Sequence, residues 1–198
     1  MSKNVLLLVC GGIHPPSYSG QILAAIAQDE TLDRLCWAVS FPSSGLNVFS
    51  PFALRQSLEP AFGTAPCQGQ LPGLIIWAFS AGCVGAVALA TYWQRYRGPV
   101  LAIFLVDGWG VPRPPGLRVH RLSHDRMTHD TSRWLGAGDE DFWADPPVSH
   151  LTLWQQPHRT EGWATAQQQV GERLTAEAFL CLRSRDYARS YDLNINSP

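Results

Sequence analysis

A serine follows an apolar run that is typical of a buried strand. The run covers residues 74–79, and Ser80 stands after it with Ala78 two residues before and Gly82 two residues after. Strand, sharp turn and helix with a serine at the apex form a nucleophile elbow, whose strained turn requires small residues at these two positions. The pattern A-F-S-A-G therefore predicts a nucleophilic Ser80 hydroxyl. The alternative is a serine that only caps the following helix.

A serine nucleophile needs a base, and the base needs a carboxylate that orients it. In an open parallel sheet these groups project from the carboxyl ends of strands. We expect a strand over 117–122 that is followed by Asp125, and a last strand over 150–155 that is followed by His158. The predicted triad is therefore Ser80, His158 and Asp125.

Other interpretations of these residues stay open. Asp107 is the alternative acid because it ends a strand predicted over 100–106, although Asp before Gly also suits an ordinary turn. Asp130 is a weaker rival. Asp125 also fits a helix N-cap, and His158 also fits a surface loop.

The order Ser80, Asp125, His158 resembles that of the α/β-hydrolase superfamily, in which serine precedes the acid and the acid precedes histidine. The resemblance covers nearly the whole chain in element order, and it is to a small member without a lid. In that superfamily the acid typically follows the penultimate strand and the histidine follows the last one. Some members carry the acid one strand earlier, where Asp107 stands here.

The resemblance also implies an oxyanion hole. One donor would be the N–H of Ala81, directly after the nucleophile. The other would come from the loop after the first strand, at Gly12 or Ile13. Adjacent glycines in this loop let the backbone approach a substrate closely. His14, in the same loop, suits a turn or a substrate contact.

The elements that must position these residues alternate along the chain. Apolar runs and helical stripes predict further strands over 5–10, 35–41 and 74–79 and helices over 19–28, 81–95 and 161–185. Apolar strands separated by helices indicate a parallel sheet covered on both faces. We expect one α/β domain over 1–198, a three-layer sandwich with a mostly parallel central sheet of about six strands. The short connection between 107 and 117 leaves no room for a lid.

The composition excludes several classes of protein. The chain has 198 residues, of which 45% are hydrophobic and 16% charged, with a net charge of −1. This is the composition of a folded domain without a basic face for nucleic acid. Five cysteines without a C-x-x-C pair argue against a disulfide framework or a zinc motif. With no signal peptide or membrane span predicted, we expect a cytoplasmic protein.

Histidines and aspartates cluster in one further segment. The members are His120, His124, Asp125, His129 and Asp130. Imidazoles and carboxylates bind zinc and other divalent metals. The cluster matches no metal motif of defined spacing, so neither a metal nor another cofactor is predicted.

Three functions follow from these observations. The first is a serine hydrolase of esterase or thioesterase type that cleaves a small or extended ester through Ser80, His158 and Asp125. The second is a catalytically inactive relative that binds a ligand or a protein partner, because a fold alone does not fix function. The third and weakest is a metal-dependent hydrolase that uses the histidine cluster.

Overall fold

The described part of the chain is organised by one eight-stranded sheet. A computed structural model describes residues 3–41, 45–63, 72–166 and 169–196. The strands are β1 (Val5–Cys10), β2 (Cys36–Phe41), β3 (Gly73–Phe79), β4 (Val100–Val106), β5 (Val119–Ser123), β6 (Glu140–Ala144), β7 (Glu161–Ala166) and β8 (Gln169–Thr175). The helices are α1 (Pro16–Gln28), α2 (Glu30–Leu35), α3 (Pro51–Gly63), α4 (Gly82–Tyr96), α5 (Arg126–Ser132), α6 (His150–Gln155) and α7 (Ala176–Asn196), and short 3-10 helices cover Gly45–Phe49 and Arg133–Leu135. Among the described helices, we find none with the length and apolar character needed to cross a membrane.

The strand order places six carboxyl ends at one edge of the sheet. The order is β2-β1-β3-β4-β5-β6-β7-β8, and every pairing from β2 to β6 is parallel. Only β7 and β8 run antiparallel to their neighbours. The prediction of a mostly parallel α/β sheet is confirmed, but the sheet has eight strands rather than six. Loops after the parallel strands therefore meet at one edge, where ligands bind in such sheets.

Side chains of the central strands alternate between two buried clusters. In β1, alternate residues from Val5 to Val9 join one cluster, and those from Leu6 to Cys10 join the other. Residues of α1, α2, α6 and α7 complete the first cluster, and residues of α3 and α4 complete the second. Because both faces of these strands are buried, their sequences are apolar without alternation.

The predicted strand over 150–155 is wrong, because these residues form α6. Ser149 caps the helix by accepting a hydrogen bond from the Thr152 N–H. This bond satisfies a donor that the first helical turn leaves without a partner. The helix buries Leu153 and Trp154 in the first cluster, whereas the third apolar residue of the segment, Leu151, is exposed.

The predicted helix over 161–185 is wrong in its first half. Residues 161–166 and 169–175 form β7 and β8, which pair antiparallel, and Trp163 of β7 pairs with Trp143 of β6. The last helix begins only at Ala176, where the Thr175 hydroxyl accepts the Ala178 N–H at 3.1 Å. The aromatic cross-strand pair stabilises an extended backbone that helical spacing alone does not reveal.

The connection from β4 to β5 crosses between parallel neighbours without a helix. Arg121 of β5, which is 1% exposed, holds this connection from the sheet. The Arg121 guanidinium donates to the Val111 carbonyl and to the Gly136 carbonyl, both at 2.8 Å. The bond to Val111 fixes this loop to β5, and the bond to Gly136 joins it to the connection after β5.

His120 of β5 is buried in its neutral form. Its Nδ1 lies 3.0 Å from the Glu140 carbonyl oxygen, which can only accept, so Nδ1 carries the proton. Its Nε2 lies 2.8 Å from the Tyr187 hydroxyl, and its ring stacks on Phe104. Burial lowers the pKa of His120 to about 4.

Acidification is expected to destabilise the fold through His120 and His129. Burial also lowers the pKa of His129 to about 4, whereas an unfolded histidine titrates near ~6.5. The unfolded state therefore binds more protons between these values, and stability falls as the pH drops through them. Each histidine contributes a loss of about 2 kcal/mol in the free energy of unfolding between pH 8 and pH 5.

The free energy of unfolding, measured with urea at pH 8 and at pH 5, tests this expectation. The difference between the two pH values should be smaller in His120→Gln than in the wild type. Equal pH dependence in the variant and the wild type would contradict the expectation.

Candidate active site

The turn after β3 holds Ser80 in a left-handed backbone conformation, with φ at 52°. Its N–H donates to the Val106 carbonyl at 2.9 Å, and its carbonyl accepts the Cys83 N–H at 3.0 Å. Left-handed backbone costs a non-glycine residue on the order of 1–3 kcal/mol and persists where the surroundings fix it. Strand, strained serine and helix follow one another as in a nucleophile elbow.

Close backbone packing explains the glycines around this turn. A Cβ on Gly82 would lie 2.5 Å from the Gly11 carbonyl oxygen. A Cβ on Gly12 would lie 2.9 Å from both the Phe79 carbonyl oxygen and the Ser80 Cβ. These contacts bring the loop after β1 directly against the serine turn.

Three side chains from three connections form a hydrogen-bonded chain. The Ser80 Oγ lies 2.9 Å from Nε2 of His150, and Nδ1 of His150 lies 2.8 Å from Oδ2 of Asp107. A carboxylate only accepts, so Nδ1 of His150 donates to it and Nε2 is left to accept the Ser80 hydroxyl proton. This is the imidazole tautomer that a general base for serine needs.

The fold explains how these residues meet. Ser80 follows β3, Asp107 follows β4 and His150 begins α6 in the connection after β6. These strands are parallel, so their carboxyl ends share one edge of the sheet.

The structure does not bring His158 to Ser80. His158 lies beyond the end of α6 and lines a separate polar cleft of about 570 Å³. The cleft lies between α1 and the start of α7, where Gln21 and Glu177 also line it.

His150 is the residue that the sequence reasoning missed. Treating 150–155 as a strand placed this histidine inside an element rather than at the end of a loop. The expected position was a loop after the last strand, whereas His150 follows β6, the last of the strands that pair in parallel. Pro146 and Pro147, followed by Ser149, were the available signal for a loop that ends at a helix N-cap.

Of the two acids, the structure places Asp107 on the histidine. Asp125 instead caps α5, where its Oδ1 accepts the Thr128 N–H at 2.6 Å. Its Oδ2 lies 3.2 Å from Nε2 of His124, and so it reaches the site only through that residue.

Asp107 is a buried acceptor that serves two imidazoles. Its side chain is 2% exposed, and its Oδ2 lies 2.8 Å from Nδ1 of both His124 and His150. Its Oδ1 accepts the His124 backbone N–H at 2.9 Å. Burial by itself raises the pKa of Asp107, but the hydrogen bonds from His124 and His150 outweigh it and hold the pKa below its usual value. The carboxylate is therefore ionised at neutral pH.

A cavity of about 550 Å³ opens over Ser80. Ala81 lines it beside the serine, and much of the remaining wall is apolar, from Val84, Trp109, Val111 and Met127. Trp109 is 67% exposed and Met127 is 73% exposed, so the cavity is open to solvent on this side. The Trp109 indole donates to the Thr131 hydroxyl at 3.1 Å, which fixes it against α5.

The residues predicted to form the oxyanion hole lie around the serine turn. Ala81 lines the cavity, and Gly12 packs against Ser80. Ile13 is 67% exposed. The assignment of Ala81 and of either Gly12 or Ile13 as donors stays a prediction.

The predicted histidine cluster is not gathered at one point. His120 is bonded to Glu140 and Tyr187, and His129 packs on Trp143 with ring centroids 4.8 Å apart. His124 instead lies at the serine site.

A different group of possible ligands is present at the serine site itself. Among the described residues, Asp107, His124 and His150 offer ligand atoms that all lie within 4.8 Å of one another. Both Nδ1 atoms, however, lie at hydrogen-bond distance from the same carboxylate oxygen, and so both carry protons. A protonated Nδ1 cannot be a ligand atom, and the remaining Nε2 atoms face other groups: that of His150 lies 2.9 Å from the Ser80 Oγ and that of His124 lies 3.2 Å from Asp125 Oδ2. We therefore interpret the group as a hydrogen-bonded chain and not as a metal centre.

Comparison with protein-family models and with curated proteins gave no match. The function must therefore be argued from the geometry and chemistry of the site.

Proposed function

We propose that the protein is a serine hydrolase that cleaves a small or extended ester or thioester. The observation that carries this proposal is the chain from Ser80 through His150 to Asp107, with separations of 2.9 Å and 2.8 Å. Ser80 Oγ attacks the carbonyl carbon while His150 takes its proton, and Asp107 stabilises the imidazolium that forms. His150 then gives the proton to the leaving alcohol or thiol. Water hydrolyses the acyl-enzyme by the same route and releases the acid.

The oxyanion of the tetrahedral intermediate would be stabilised by backbone donors. Ala81 N–H directly follows the nucleophile, and a second N–H would come from Gly12 or Ile13. The helix α4 begins at Gly82, so its positive N-terminal end lies beside the developing negative charge. One such donor is typically worth about 10²–10³ in rate.

The cavity supports an uncharged acyl group as substrate. In the described ranges its lining includes no lysine or arginine that would pair with a carboxylate or phosphate, and the ring of His124, which also lines it, is engaged by Asp107. The exposed Trp109 and Met127 leave the cavity open at one side, which favours small or extended substrates over an enclosed lipid chain.

We extend the proposal to a three-layer fold of the α/β-hydrolase superfamily. The order Ser80, Asp107, His150 is the order of that superfamily. The two buried clusters on opposite sides of the strands support helix layers on both faces.

A reducing compartment such as the cytoplasm is part of the same proposal. The described cysteines Cys10, Cys36, Cys83 and Cys181 are free and buried, and Cys67 lies outside the described residues. Burial raises the pKa of the Cys36 thiol and of the Cys181 thiol to about 12, so both stay protonated and unreactive.

A fluorophosphonate probe tests the proposed nucleophile. We expect covalent labelling of the wild type and none of Ser80→Ala, because the probe reacts with a serine that has an adjacent base. Ser57→Ala is the matched control: this exposed serine lies on α3 and donates to the Leu54 carbonyl, away from the site. It should label like the wild type.

Two results would count against hydrolysis. The first is a wild type that remains unlabelled by the probe, which would favour the binding module that uses the same cavity without turnover. The second is ester hydrolysis that a chelator abolishes, which would favour the metal-dependent alternative.

A further inference from the structure

His124 is a second imidazole on the carboxylate of the proposed triad, and the reaction as derived does not use it. Its Nδ1 lies 2.8 Å from Asp107 Oδ2, and its backbone N–H donates to Asp107 Oδ1 at 2.9 Å. Its Nε2 lies 3.2 Å from Oδ2 of Asp125. Both ring nitrogens therefore face a carboxylate oxygen.

This geometry favours a positive charge on the ring. An ionised carboxylate has no proton to donate, so Nδ1 of His124 donates to Asp107. A second proton on Nε2 would place the positive charge at ion-pair distance from Asp125, 3.2 Å from its Oδ2. We infer that His124 is held as an imidazolium cation between Asp107 and Asp125, and that it positions Asp107 for its bond to His150.

The surroundings of His124 agree with a cation. The hydrogen bond to Asp107 raises the pKa of His124, although burial opposes it, and the charge of Asp125 raises the pKa further. Among the residues that the structure describes, the only other titratable ring beside that of His124 is the ring of His150, with ring centroids 6.1 Å apart. The nearby Arg126 is paired with Asp130 on α5.

His124 would act on His150 through the shared carboxylate. Asp107 Oδ2 accepts from both rings, and its Oδ1 accepts the His124 backbone N–H, so His124 fixes the orientation of the carboxylate towards His150. A carboxylate held in this way keeps His150 in the tautomer that accepts the Ser80 proton.

The same cation connects the site to the wall of the cavity. Asp125 lies at ion-pair distance from His124 through one oxygen, at 3.2 Å, and caps α5 through the other, at 2.6 Å from the Thr128 N. Met127, Thr128 and Thr131 of α5 line the cavity. Hydrogen bonds and this ion pair therefore connect Ser80, through His150, Asp107 and His124, to the helix that the substrate would touch.

The charge of His124 can be measured without any substrate. Imidazole ¹⁵N NMR of the wild type at pH 7 should show one ring with both nitrogens protonated, and that signal should disappear in His124→Asn. In Asp125→Asn the midpoint of its titration should move to lower pH, because one of the two carboxylates is removed. A neutral His124 at pH 7 in the wild type would overturn the inference.

The positioning of Asp107 rests on the proposed hydrolase function and is measured by kcat and KM. His124→Asn removes the ring that holds Asp107 and should lower kcat by about 10–100-fold while KM changes little. His158→Asn, in the separate cleft, is the matched control and should leave both constants in place. An unchanged kcat in a folded His124→Asn protein would overturn the positioning role. A doubly protonated His124 in a protein without esterase activity would contradict the proposed function while supporting the charge.

Discussion

The His150→Ala variant is expected to lose about 10⁵–10⁶-fold in kcat towards an activated ester such as p-nitrophenyl acetate. His150 is the imidazole bonded to the Ser80 hydroxyl, at 2.9 Å, and without it the serine keeps its proton. The KM should change little, because the cavity wall is formed largely by other side chains. Steady-state kinetics with a thermal unfolding check measures both quantities.

The matched control is His158→Ala, which removes the histidine that the sequence pattern favours. It lines a cleft apart from Ser80, so its kcat should stay within about twofold of the wild type. The opposite ranking, with a severe loss in His158→Ala and a mild one in His150→Ala, would contradict the assigned base.

The Asp107→Asn variant is expected to lose about 10⁴-fold in kcat. Asparagine is nearly isosteric but offers one acceptor oxygen and one donor NH₂ group. With a single acceptor oxygen, asparagine cannot replace both carboxylate oxygens as acceptors of the hydrogen bonds from His124 and His150. It also carries no charge that would stabilise the imidazolium of His150. The base would be left in the wrong tautomer for much of the time.

Asp125→Asn serves as the control for the choice of acid. Its loss in kcat should be less than about tenfold, because Asp125 reaches His150 only through His124 and Asp107. A larger loss in Asp125→Asn than in Asp107→Asn would show that the acid is the one that the sequence order favours.

The serine turn and the strands that carry it were predictable because their packing leaves a local pattern in the sequence. Strands such as β4, buried on both faces, are apolar without interruption, and the predicted bounds 100–106 match the observed Val100–Val106. The strained turn at Ser80 requires small neighbours, and these leave a local pattern in the sequence.

The histidine and the acid depend on long-range geometry instead. Asp107 and Asp125 follow β4 and β5, which are parallel neighbours, so element order places both near the same edge of the sheet. What separates them is local: Asp107 has a left-handed backbone, with φ at 49°, and its side chain meets His150. His150 itself was hidden because its segment, with Leu and Trp residues near Thr, has a pattern that suits a strand and a short helix equally.

The helix-free connection between β4 and β5 gives this fold a place to acquire new selectivity. It begins at the proposed acid and supplies Trp109 and Val111 to the cavity wall, while Arg121 anchors it from the sheet. Gly110 and Gly116 within it have left-handed φ angles of 85° and 74° and open space beside their Cα atoms. Gly110 stands between the cavity-lining Trp109 and Val111, so residues inserted there would extend over the cavity. The entropic cost of a longer loop rises only slowly with its length. A single insertion in this loop would thus add a cap over the substrate without a change to any strand.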